Sequence, residues 1–177
     1  MSNRRATAQI KFIIIHCSAT PNGRVTTAAD IDSWHKQRGF TRDMSLFPHH
    51  APTLKYIGYH LVNRIDGVAE CGRYELETGA HCIGYNTNGI GICMVGTDAF
   101  SLEQWATLKS QVEIFKKRYP GITVMGHRDT SPDTNHNGRV DPQEWLKTCP
   151  GFDVSQWLAG GMAPLAGHIF PEVQDNA

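Results

Sequence analysis

Two histidines and a cysteine stand where rigid elements would carry them to one place. His16 ends the apolar run IIIHCSAT (13–20), His127 ends ITVMGHRD (122–129), and Cys149 lies in LKTCPGFDV (146–154). Two imidazoles and one thiolate are a sufficient donor set for zinc. Three protein ligands also leave the fourth tetrahedral position to water, the arrangement of a catalytic rather than a structural site. The pattern reads as a hydrolase. No HExxH motif is present, so the ligand pair of a standard zincin is excluded.

A second set of donors lies between His127 and Cys149. In DTNHNGRVDPQE (133–144), Asp133, Asn135 and Asn137 take positions one, three and five of a twelve-residue calcium loop. Gly138 takes position six, the Arg139 carbonyl seven, Asp141 nine and Glu144 twelve. Oxygens at alternate positions let a chain wrap a hard cation, and the glycine permits the sharp turn. The segment resembles the loops of EF-hand and dockerin modules, except that Ser131-Pro132 replaces an entering helix. Only Asp133, Asp141 and Glu144 bring carboxylates, so a modest affinity for calcium is expected. The alternative is a polar surface turn held by Asn and Asp side chains.

These residues need elements to place them. KFIIIHCS (11–18) is a β-branched run closed by polar residues and Pro21, which suits a buried central strand. Side chains alternate across a strand, so a His16 that faces a cleft puts Cys17 in the core. Thr27 with Asp30 starts a helix that Ile31, Trp34, His35 and Arg38 continue to Gly39. Positions 40–56 carry two prolines and no period, a long loop of the kind that borders a site. GYHLVNRIDGVAE (58–70) reads as a hairpin about Asp66-Gly67, and GIGICMVG (89–96) as another buried strand. Ser101 and Gln104 form a capping box ahead of Leu102, Trp105, Leu108, Val112 and Phe115, so the spacing predicts a helix over 102–118. ITVMGH gives a further strand, and Asp153 with Gln156 caps a short helix at VSQWL. The expected fold is α/β: a single domain with a central, mixed, mostly buried sheet flanked by helices. The zinc domain is placed at 1–159. The stretch 160–177 reads as a tail of disorder-compatible composition, too short for a separate binding domain.

Composition narrows the partners. The chain has 177 residues, 17 basic against 17 acidic, and therefore no formal net charge, which argues against capture of a nucleic acid. No stretch is long enough to insert in a membrane, and the apolar run after the N-terminal arginines is too short for a signal sequence. Synthesis in the cytoplasm without an export signal is expected. The five cysteines are odd in number and widely spaced, so a disulfide framework is a poor reading.

In order along the chain, IIIHCSAT, IGYHLVNRIDG, GAHCIGYNTNGIGICMVG, GHRD and LKTCPGFDV resemble the zinc-dependent N-acetylmuramoyl-L-alanine amidases, the family of phage endolysins and peptidoglycan recognition proteins. The resemblance runs from Ile13 to Trp157. It implies His16, His127 and Cys149 as zinc ligands, with Tyr59 and Lys147 as catalytic residues outside the ligand set. It also implies that the loop of His81, Tyr85 and Asn86 lines a peptide groove. Lys147 suits stabilisation of an oxyanion and Tyr59 suits orienting water or assisting proton transfer. The implied partner is bacterial peptidoglycan, cut by a monomer at the wall after holin-type release. Rival readings are a non-catalytic peptidoglycan-binding module, which generally lacks the cysteine ligand, and an amidase using Cys149 as nucleophile with His127. A secreted antibacterial effector is the alternative biological role. His60 is expected to be a bonded core histidine, and His35, His49, His50 and His168 are kept as structural. His81 stays open between groove residue and structural hydrogen-bonder.

Overall fold

The apolar run at the start of the chain forms β1 (Phe12–Cys17), and its lack of alternation has a direct cause: it is paired on both edges and covered on both faces. The structure, a computed structural model, describes residues 4–171. The following elements are α1 (Ala28–Gln37), β2 (Leu61–Asn63), β3 (Ala69–Cys71), β4 (Gly89–Met94), α2 (Leu102–Arg118), β5 (Thr123–Gly126) and α3 (Val154–Ala159). Single 3-10 turns occupy Thr7–Gln9, His127–Thr130 and Pro142–Glu144. The sheet runs β3-β2-β4-β1-β5. All pairings are parallel except the β2/β3 hairpin, so the sheet is mixed, as expected.

Each sheet face has its own cover. Ile13 and Ile15 of β1 join Ile90, Ile92 and Met94 of β4 beneath Trp105, Leu108 and Val112 of α2 and Trp157 of α3. On the opposite face, Cys93 and Val62 pack with Ala28 and Ile31 of α1 and with Leu54 and Ile57 of the loop that follows. Alternation assigns His16 to this second face. The helix starts are those read from sequence. Ser101 Oγ accepts the Gln104 N–H at 3.1 Å while Gln104 Oε1 accepts the Ser101 N–H at 3.0 Å. Thr27 and Asp30 make the same reciprocal pair at α1.

The long loop after α1 has no secondary structure yet is tied down from inside. Arg42 is buried against Glu77 at 2.6 Å, with side-chain exposures of 0% and 2%, and also donates to the carbonyls of His50, Ala51 and Leu54. Arg73 likewise donates to the carbonyls of Thr41, Ile57 and Thr78. The chain around Tyr59 and the approach to His81 are thereby fixed to one another. Of the segment expected as a tail, residues 160–171 are mostly exposed but attached: Met162 and Leu165 lie partly buried against the core, and Phe100 exchanges backbone hydrogen bonds with His168 and Phe170. Residues 172–177 lie outside the described residues.

Candidate metal centre and its cleft

His16 sits near the carboxyl end of β1, buried at 1% exposure. His127 opens the 3-10 turn that follows β5, one residue beyond the strand. Asp129 shapes that turn by accepting the Gly126 N–H at 2.7 Å, and the Thr130 hydroxyl donates to the His127 carbonyl at 2.7 Å. Cys149 comes from the loop before α3. Its carbonyl accepts the Arg128 N–H at 2.7 Å, and its Sγ accepts the Cys17 N–H at 3.1 Å, so backbone bonds couple the three ligand-bearing segments. One donor atom from each of His16, His127 and Cys149 lies within 4.8 Å of the others. The expected zinc residues are brought together.

The surroundings set the charge of each donor. Burial, then the neighbouring His81, His127 and Lys147, hold His16 well below the ordinary imidazole range. Burial and the Lys147 cation push His127 down to about 4, so both rings are neutral at pH 7. The adjacent Cys17 thiol and burial raise Cys149, which therefore stays protonated until a cation displaces the proton. The donor set fits zinc: two neutral imidazoles and one thiol whose ionisation a cation would drive, with a backbone N–H already directed at the sulfur.

Tyr59 lies beside this centre, its ring 5.1 Å from that of His16. Burial and the sulfurs of Cys93, Cys149 and Cys17 raise its phenol well above the usual value, so the hydroxyl keeps its proton. Lys147 is exposed and, with His127 and His81, lines a cleft of about 590 Å³. Arg38, Phe40, Cys82, Ile83, Thr130 and Leu146 complete most of the lining, which contains no carboxylate. Sequence reasoning missed these residues. Nothing in their spacing marks them, because α1, the 80–86 loop and the 130–147 segment meet only in three dimensions.

The other expected groups fall in different places. Asn86 lines the cleft and its Oδ1 accepts the backbone N–H groups of His81 and Cys82 at 2.8 and 2.9 Å. Tyr85 stands apart from the cleft, its ring packed edge-on against Phe12 at 5.1 Å. His81 belongs to neither alternative alone: its Nδ1 is 3.0 Å from His16 Nε2. His60 is buried at 2% and bonded to Gly91 and Glu77, as expected, and Cys17 packs against the core, as alternation implied.

In the 133–144 loop, Asn135 and Asn137 both donate to Asp141 Oδ2, at 3.3 and 2.7 Å, and Asp133 accepts the Asn137 and Gly138 N–H groups. Gly138 takes φ 83°, as position six requires. Glu144 is committed elsewhere: it accepts from the Asp141, Thr134 and Asn135 N–H groups and the Thr134 hydroxyl, which pull its carboxyl down to about 2.

A family model described as N-acetylmuramoyl-L-alanine amidase matches residues 6–151. The chain is 32% identical over 158 residues to an endolysin of Enterobacteria phage T3, covering 85% of this chain and 86% of that one. An uncharacterised Haemophilus influenzae protein is 37% identical over 116 residues, 61% of this chain and all of that protein. Among solved structures, the endolysin N-acetylmuramoyl-L-alanine amidase LysCS from Clostridium intestinale superimposes with a TM-score of 0.64 at 21% identity, covering 92% and 90% of the two chains. That likeness is one of fold.

Proposed function

The chain belongs to the N-acetylmuramoyl-L-alanine amidase family, and we propose that it acts as an endolysin, hydrolysing the bond between the lactyl group of N-acetylmuramic acid and L-alanine with one zinc ion held by His16, His127 and Cys149. The observation that carries this reading is the convergence of those three donors beside a cleft that offers cations and no carboxylate. Zinc bound there supplies a water acidified towards neutral pH and a Lewis acid for the scissile carbonyl.

The chain's own groups account for the rest. Attack forms a carbon–oxygen bond and puts negative charge on the carbonyl oxygen. Lys147, exposed in the cleft, brings an ammonium to that charge. The carbon–nitrogen bond then breaks, and the proton lost by the attacking water must reach the departing L-alanine nitrogen. The Tyr59 hydroxyl, kept protonated by burial, can both donate and accept a hydrogen bond and would orient the water and pass that proton. His81, Asn86 and the other lining groups would hold the peptide.

A Cys149 nucleophile is disfavoured by the same surroundings, which raise its thiol rather than lower it. Mass spectrometry of purified peptidoglycan after digestion, with metal analysis of the protein, tests the proposal. It predicts new L-alanine amino termini and about one zinc per chain. Loss of activity on chelation with restoration by zinc is expected, whereas activity that survives metal removal and fails only on thiol alkylation would favour the nucleophile.

For the 133–144 loop we propose calcium as a second ion. Its support is the twelve-residue pattern, with Gly138 at φ 83° in position six. Among the described residues no helix is long and apolar enough to cross a membrane. Action as a monomer at the wall after holin-type release completes the proposal.

A further inference from the structure

The His81 imidazole lies in a slot that glycines leave open. A Cβ on Gly91 would stand 2.6 Å from the ring, and one on Gly79 would stand 2.5 Å away, both nearer than real contacts allow. On Gly89 a Cβ would meet the ring at 3.6 Å. Gly89 and Gly91 belong to β4, and Gly91 shares a sheet face with Cys93 and, through the parallel register, with His16. The slot therefore opens towards the metal centre. The His81 main-chain N–H is held by Asn86 Oδ1 at 2.8 Å, so the residue is anchored at its backbone as well as its ring.

Two contacts fix where the protons are. His81 Nε2 is 3.4 Å from the Gly89 carbonyl, and His81 Nδ1 is 3.0 Å from His16 Nε2. A carbonyl only accepts, so His81 carries its proton on Nε2 and presents a lone pair at Nδ1. The hydrogen between the two rings then belongs to His16 Nε2.

We propose that His81 is a positioning residue for the metal centre: it holds His16 in the Nε2–H form and thereby turns the Nδ1 lone pair towards the donors of His127 and Cys149. The inference rests on the zinc reading above and adds to it a reason for the glycines at 79 and 91. A ligand histidine oriented through its second nitrogen binds metal more tightly, and loss of such a partner typically costs about 10- to 100-fold in affinity.

Two measurements decide it. Long-range proton–nitrogen correlation spectra of chelator-treated wild-type protein report the His16 tautomer without any substitution. The Nε2–H form is expected, and an Nδ1–H form overturns the proposal. Zinc affinity, measured by competition with a chromophoric chelator, is then compared for wild type, His81→Leu and His81→Asn. His81→Leu should lose about 10- to 100-fold. His81→Asn, whose amide oxygen offers an acceptor near the position of Nδ1, should recover most of that loss. Folded His81→Leu with wild-type affinity, or His81→Asn no better than leucine, overturns the assignment. Wild-type protein that binds no zinc removes the zinc reading and this proposal together, whereas zinc binding with the wrong tautomer removes this proposal alone.

Discussion

Tyr59 and Lys147, proposed as the catalytic groups, lie outside the donor group, yet one is 5.1 Å from the His16 ring and the other lines the cleft. Tyr59→Phe removes one hydroxyl and Lys147→Ala one ammonium, leaving His16, His127 and Cys149 unchanged. Both variants should retain zinc in metal analysis. Turnover of peptidoglycan should fall by roughly a hundredfold to a thousandfold, the usual effect of losing one group that stabilises developing charge. A variant that keeps near-normal turnover loses its assigned role. The convergence of His16, His127 and Cys149 was legible from sequence because each stands at a strand end or within a distinctive short motif. The contact of His81 with His16 was not, since the two are 65 positions apart and the slot is made by what glycines lack. Spacing records periodicity, and a missing Cβ has none.

At the scale of elements, strands and helices followed from local causes, while the order of the 40–56 loop did not. Its two prolines and lack of period describe a loop correctly but say nothing of Arg42, whose partner Glu77 lies 35 residues on. That pair holds the loop to the chain leading into His81. Removing one member of a buried pair leaves an uncompensated charge, so Glu77→Gln should destabilise the fold by about 3–5 kcal/mol in urea unfolding. An effect below 1 kcal/mol would show that the carbonyls accepting from Arg42 suffice. The 133–144 loop makes a separate prediction. If it binds calcium, saturation at a hundred times the dissociation constant stabilises the protein by about 2.7 kcal/mol, and the melting temperature of chelator-treated, zinc-restored protein should rise. Asp133→Ala with Glu144→Ala should abolish the rise without loss of zinc. No heat of binding and no thermal shift in millimolar calcium would leave a polar turn, with Glu144 serving only the N–H groups it now accepts.

For the whole molecule, the concentration of buried imidazoles around one sheet face makes acid stability a property of the site. Burial holds His35 and His127 at about 4 and His81 at about 3, against 6.5 for a free imidazole, and it also lowers His16 and His60 well below that value. The unfolded chain therefore binds more protons than the folded one between about pH 6.5 and pH 4. Stability rises with pH wherever that holds, so the stabilisation is present above 6.5 and is lost as the pH falls towards 4. Carboxylates of ordinary pKa change little in the upper part of this window, which makes the histidine contribution separable there. Metal-free protein should show a urea midpoint that is level from pH 8 to about 7 and declines steadily from about 6.5 to 5. On the proposed zinc site, zinc should raise the whole curve by binding only the folded donors and should steepen its acid limb, as protons compete for His16 and His127. Metal-free midpoints that stay constant from pH 7 to 5 would mean that these rings gain protons in place without opening the fold, contrary to their burial against the sheet.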